Sequence, residues 1–194
     1  MVRLKLCVAI VLLSLVEPMI TFSVTDGVCP TNITSIGKFD MERYLGKWYI
    51  YSMFSPFTKP MPHCKSNQFT KDKSGRYFVT SKELEFDTKT VTKHTMKIKS
   101  VNSNLGQYIF NHKPRTFPRG VEIYILNTDY TNYTIEYTCI NSDGVFNMQW
   151  AVIGTQKRVP TESTVYIARK LAKQSGLAMN RLIPVQQDSC PTDT

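Results

Sequence analysis

"YLGKWYIYSMF", residues 44–54, sets a glycine two places ahead of a tryptophan and then runs on with apolar and more polar residues in alternation. Alternation of this kind reads as a β-strand with one face turned inward. Gly46 supplies the turn residue on which a strand can open, but the large indole of Trp48 directly after it needs a reason. The reason lies downstream. Seven more short runs follow, over residues 64–70, 77–86, 91–99, 107–111, 121–127, 131–139 and 145–153, separated by turn signals such as Lys73-Ser74-Gly75 and Asp87-Thr88-Lys89. Eight consecutive strands with hairpin-length links predict an all-β, up-and-down antiparallel sheet, and closing it into a barrel removes its exposed edges. Such a barrel has one open end and one end that must be plugged. Trp48 is placed to lie across the floor as the plug.

The period changes once. After Val159-Pro160, residues Val165, Ala168, Leu171, Ala172 and Ser175 recur at helical spacing, with Gly176 where a C-cap belongs and Pro160 suited to the first helical position. This predicts one C-terminal α-helix, its apolar stripe packed outside the barrel.

The first residues are read as a secretory signal peptide over 1–23. Arg3 and Lys5 precede an apolar run over 6–16, and Thr21 and Ser23 stand at the −3 and −1 positions of a cleavage site. That run is well short of the roughly 20 residues that span a bilayer, so no membrane span is expected. A single domain over 24–194 remains, secreted and monomeric. Of the five cysteines, Cys7 leaves with the signal; the four others, Cys29, Cys64, Cys139 and Cys190, imply two disulfides with three possible pairings. No C-x-x-C spacing suggests a metal. Asn32-Ile33-Thr34 and Asn132-Tyr133-Thr134 are glycosylation sequons. Loss of Arg3, Lys5 and Glu17 takes the formal charge from +9 to +8, which favours anionic ligands, cell surfaces or heparin-like polymers. Nucleic acid is excluded by the secretory route and by the lack of basic runs interleaved with aromatics. Nothing marks an enzyme: there is no Gly-x-Ser-x-Gly, no His-Glu-x-x-His and no phosphate-binding glycine loop, and His63, His94 and His112 are scattered.

Two short motifs carry a resemblance. "GKW" at 46–48 resembles the Gly-x-Trp that opens the first strand of lipocalins, and "NTDY" at 127–130 resembles their Thr-Asp-Tyr turn between the sixth and seventh strands. The resemblance runs from about Cys29 to Cys190. It implies an eight-stranded lipocalin barrel whose floor is built on Gly46, Trp48, Thr128, Asp129 and Tyr130. The family's closing basic residue has Thr155 at its best-matching position, with Lys157 and Arg158 nearby. The chain is most similar to arthropod lipocalins, whose disulfides imply Cys29–Cys139 and Cys64–Cys190. "TQKRVPTEST" and "SGLAMNRLIPVQQDSC" look like the salivary triabin and nitrophorin group of blood-feeding bugs, while "TDYTNY" is shared with insect bilin-binding lipocalins. The resemblance implies a small, mainly apolar or amphipathic ligand: a sequestered host mediator (eicosanoid, nucleotide or biogenic amine), or a bilin or lipid. A clotting protease or platelet receptor, inhibited at the outer surface, is the alternative partner. The position resembling the heme histidine of some salivary members falls near residues 83–85 and holds no histidine, so no cofactor is expected.

The expected cup is lined as follows. With Trp48 inward, Ile50, Ser52 and Phe54 share its face. Val121, Ile123 and Ile125 form one face of the sixth strand, and His94 shares a face with Thr92, Met96 and Ile98. Glu136 points inward if Cys139 points outward, and outward in the other register. Lys59, His63, Lys89, Lys113, Arg115 and Arg119 gather in loops at the mouth, with Lys71, Lys73 and Arg76 at the closed end.

Overall fold

The computed structural model describes residues 24–56, 63–85, 87–111, 120–192 and 194; the signal peptide expected over 1–23 lies outside them. After a two-residue strand β1 (Thr25–Asp26) the chain makes one helical turn, α1 (Met41–Tyr44), and then eight long strands: β2 (Gly46–Phe54), β3 (His63–Lys71), β4 (Tyr77–Leu84), β5 (Val91–Asn102), β6 (Gln107–Phe110), β7 (Val121–Thr128), β8 (Tyr133–Ser142) and β9 (Phe146–Thr155). Each pairs antiparallel with the next, and β9 returns to β2, Tyr49 opposite Thr155 and Phe54 opposite Ala151. The sheet is a closed up-and-down barrel. Helix α2 (Glu162–Gln174) and a last short strand β10 (Ile183–Pro184) complete the chain.

Gly46 enters β2 at φ 124°, a backbone region that a side chain at this position would strain. Strand ends differ from the sequence reading by up to three residues, β5 and β8 running on to Asn102 and Ser142. Strand β4 stops at Leu84, and β8 starts at Tyr133 because Thr131 and Asn132 belong to the turn before it. In that turn Asp129 Oδ1 accepts from the amides of Thr131 (3.0 Å), Asn132 (2.7 Å) and Tyr133 (3.1 Å), and Oδ2 accepts from Asn132 Nδ2 (2.8 Å). Thr128 Oγ1 donates to the Tyr133 carbonyl, Tyr130 sits at φ 67°, and its hydroxyl accepts from the Asp40 amide. Burial works against the Asp129 charge, but the Asn132, Thr131 and Tyr133 amides outweigh it and hold the carboxyl below its ordinary range. Asp129→Ala should therefore cost about 2 kcal/mol in urea unfolding, with Asp129→Asn losing less.

Helix α2 begins at an N-cap on Thr161, whose Oγ1 accepts from the Thr164 amide at 3.3 Å. Pro160 thus precedes the cap and does not occupy the first helical position: the capping hydroxyl, which satisfies an otherwise orphaned amide, fixes the boundary. Gly176 (φ 92°) ends the helix, with Leu177 N bonded to the Ala172 carbonyl and Gly176 N to that of Lys173. Ala168 and Ala172, both fully buried, let the helix lie close against Leu126, Tyr133, Ile135, Tyr137, Ala151 and Ile153 on the outer face of β7 to β9.

One seam of the barrel is not made by neighbouring strands. β2 pairs with β3 only from Gly46 to Tyr49. Above that the two part, and the C-terminal segment lies between them: Ile183 and Pro184 pair with Met53 and Ser52, Val185 N donates to the Tyr51 carbonyl, and Cys64 N donates to that of Gln186. The Gln187 side-chain amide donates to both the Ile50 and the Lys65 carbonyls, at 2.9 and 2.8 Å, tying one edge to the other. The Cys64–Cys190 disulfide anchors this splice, and Cys29–Cys139 ties the N-terminal segment to β8. Among the described residues no helix is long and apolar enough to cross a membrane.

Candidate ligand-binding site

The closed end is an aromatic plug. Trp48 is 1% exposed, stacks on Tyr44 at 5.2 Å, and donates from Nε1 to the Tyr44 carbonyl. Phe39 and Phe69 meet Tyr44 edge-on, and Tyr108 meets Phe69 in the same way. The nearby cation does not sit on the indole: Arg158 lies over the Tyr49 ring at 4.6 Å and donates to the Thr194 carbonyl and Gln187 Oε1. Thr155 Oγ1 bonds the Lys157 carbonyl.

Glu136 stands above this plug, 6% exposed. Oε1 accepts from the Tyr44 hydroxyl at 2.5 Å and Oε2 from the Tyr108 hydroxyl at 3.5 Å, while the Tyr44 oxygen also meets Thr134 Oγ1 at 2.7 Å. Burial pushes the Glu136 carboxyl up to about 6, the two tyrosine hydroxyls pulling the other way. Burial and the neighbouring carboxylate also push both tyrosines well above their ordinary value. A folded-state value above the unfolded one means that the native protein binds the proton more tightly. This group's contribution is therefore full below pH ~4.5 and is lost as pH rises through about 6, a difference of about 2 kcal/mol. Glu136→Gln should flatten the drop in unfolding free energy between pH 5 and 7.5; an unchanged slope would place the titrating group elsewhere.

Cross-strand partners share a face, so the pairings give the inner wall. Ile50 lies opposite Gly154, Met53 opposite Val152, Val152 opposite Glu136, and Trp150 opposite Thr138. Val121 pairs with Phe110, Ile123 with Tyr108 and Ile125 with Glu136. Ser52 and Phe54 must be corrected. The β2–β9 register shifts between Ile50 and Ser52, and one inserted residue, Tyr51, reverses the parity of everything after it. Met53 takes the inward place, while Ser52 and Phe54 turn outward. Phe54 packs with the helix-side cluster, under the Arg181 guanidinium at 4.3 Å.

The β3–β4–β5 wall has a different chemistry. Three inner-face rows cross it: Phe69, Val79 and Met96 lowest; Asn67, Ser81 and His94 above; and Lys65, Glu83 and Thr92 nearest the mouth. Lys65 continues the unshifted β3–β4 register to face Glu83, and the two form an ion pair, 20% and 27% exposed; Cys64, at φ 54°, then takes the extra residue of a second bulge. Sequence reasoning missed Met53, Val152, Trp150, Lys65 and Glu83; a bulge that no pattern of residue types announces turns Met53 inward, and the other four follow by regular alternation only once the face of a paired neighbour is known. His94 is on this wall and exposed to solvent. Among the proposed mouth cations, Lys89 lies in the β4–β5 turn and His63 begins β3. Lys59, Lys113, Arg115 and Arg119 lie outside the described residues. Asn32 and Asn132 are both exposed.

Residues 45–188 match the model of the lipocalin / cytosolic fatty-acid binding protein family. The chain belongs to this family. A lipocalin barrel of this kind binds small hydrophobic ligands, and its relatives are in general binding and carrier proteins. Apolipoprotein D from Cavia porcellus is 25% identical over 173 residues, and that from Mus musculus 26% over 169, each covering 85% of both chains. Solved structures agree on the fold. Insecticyanin from the tobacco hornworm Manduca sexta superposes with a TM-score of 0.71 at 18% identity, over 85% of this lipocalin and 89% of that chain. Lobster apocrustacyanin A1 gives 0.63 at 20% identity, over 84% and 96%.

Proposed function

We propose that this lipocalin is a secreted, monomeric carrier that takes a small, mainly apolar ligand into its cup. The observation that carries the reading is the convergence of Ile50, Met53, Val152, Phe110, Val121 and Ile123 above a plugged floor. Burying ligand surface against them supplies about 25 cal/mol per Å² removed from water. Two disulfides suit an oxidising compartment, and the signal-like residues 1–23 and the two sequons support secretion. Relatives named as apolipoproteins over 85% of both chains support a lipid or lipid-like cargo. Glu136 is engaged by Tyr44 and Tyr108, so it acts in the floor and is not presented to a ligand amine. The test is mass spectrometry of the small molecule that co-purifies from the native source, with titration of an apolar fluorescent probe. Ile123→Asp should cut probe binding at least about 50-fold by placing a charge on the apolar wall, with circular dichroism unchanged. Equal probe binding by this variant would refute the reading.

The same cup would serve a salivary protein that withdraws a host mediator from the haemostatic response. The likeness of residues 155–164 and 175–190 to salivary lipocalins favours that use. An inhibitor acting through its basic outer surface on a clotting protease or platelet receptor would not need the cup. Clotting and aggregation assays with the cup filled by a tight apolar probe separate the two: mediator capture is lost and surface inhibition persists. A pigment carrier would be coloured as isolated.

A further inference from the structure

Of the two polar rows of β3, β4 and β5, that of Asn67, Ser81 and His94 has no structural task that explains it. Neighbouring strands stand about 4.8 Å apart and like-facing residues about 7 Å apart along a strand. Asn67, Ser81, His94, Lys65, Glu83 and Thr92 thus tile one side of the cup from strand to strand. Among the described residues the side chains of Asn67, Ser81 and His94 have no hydrogen-bond partner, whereas Lys65 and Glu83 neutralise each other. The opposing wall is mainly apolar through Met53, Val152, Phe110, Val121 and Ile123, with Thr138 and, in the floor, Glu136 on β8.

A ligand that covers Asn67, Ser81 and His94 strips water from them, and each one left unpaired costs about 1–3 kcal/mol. A hydrocarbon face laid against this wall is therefore penalised, and hydroxyl or carbonyl oxygens at the right height are rewarded. A lone carboxylate fares poorly too. To reach Lys65 it must compete with Glu83, whose own charge would then lose its partner in a partly dry site. The head that fits is uncharged and carries both donors and acceptors.

We propose that the inner face of β3–β4–β5 is a recognition edge that selects an uncharged, facially amphipathic ligand, a ring system with oxygen functions along one edge, over simple fatty acids. This rests on the carrier reading above and deepens it.

The experiment uses three probes on the full secreted chain: a sterol with three hydroxyls on one face, the parent sterol with one, and palmitate, each by equilibrium dialysis. The triol should bind at least about tenfold more tightly than either of the others, the equivalent of one well-made hydrogen bond. Asn67→Leu combined with His94→Leu should abolish that preference from both sides, weakening the triol and, by lifting the desolvation penalty, tightening the parent sterol relative to the wild type. Glu83→Gln should release Lys65 and raise palmitate affinity about tenfold. If the wild type binds all three alike, or if the double variant weakens all three equally, the recognition edge is refuted while the cup stands. If none of the three binds, the carrier reading falls and the edge with it.

Discussion

Serine at both Cys64 and Cys190 should lower the unfolding free energy by about 4 kcal/mol, measured as a shift of the urea midpoint at constant m. The disulfide closes a loop with a sequence separation of 126, and cross-linking so distant a pair removes a large share of the unfolded chain's freedom. The native state loses as well. Cys190 holds the segment that bridges β2 and β3, and the bridge is only a few hydrogen bonds wide: Val185 to Tyr51, Cys64 to Gln186, and the forked Gln187 amide. Amide exchange at Cys64 and Val185 should therefore accelerate more than at β8 or β9. A loss below about 1 kcal/mol would show that the splice holds without its anchor.

Gly106→Ala should cost more than about 3 kcal/mol in urea unfolding. A Cβ built there would stand 2.1 Å from the Ile36 carbonyl oxygen and 3.0 Å from Ile36 Cγ2, at φ 53°. Ile36 cannot retreat freely. Its amide is bonded to the Ile125 carbonyl, and Ile125 N to the Gly106 carbonyl, so the N-terminal segment is sewn across the closed end at this point. Gly75→Ala is the control. It too has a positive φ, 79°, but the nearest atom to its Cβ is Lys71 Cε at 3.9 Å, and it should cost about 1 kcal/mol. Equal losses at the two sites would show that backbone strain, not the crossing segment, sets the cost.

The barrel was legible because its strands alternate and its turns carry their own chemistry. Asp129 gathers amides whatever surrounds it, and Gly46 and Trp48 declare an entry and a plug. The inner wall was legible only as far as parity holds. From Cys139 back to Thr134 the β8–β9 ladder has no shift, so counting in twos there is safe. In β2 it fails at Tyr51. That strand is buried on both faces, Ile50 toward the barrel and Phe54 toward the helix side, so apolar residues on either side of the bulge give no sign of it. The bulge at Cys64 is hidden for another reason: its left-handed backbone is imposed by the distant segment that Cys190 brings in. This bulge lies beyond Lys65 and Glu83, which stay in step with Asn67 and Ser81 and face inward by regular alternation along β3 and β4.

The splice between β2 and β3 also fixes an order of events in the making of this protein. The first full strand leaves the ribosome with one upper edge open, and its missing neighbour is encoded more than a hundred residues later, at Ile183 to Gln187. Hairpins from β3 to β9 can form as they emerge, since each pairs with the next. The wall cannot. It closes only once that distant segment has been made, by the slow capture of a far partner, and the anchoring sulfur of Cys190 follows the segment in the chain. Until then the cup is slit along its side, and a bulky ligand can enter laterally instead of through the mouth. Cargo present in the compartment where Cys190 is oxidised can thus be enclosed as the vessel is sealed.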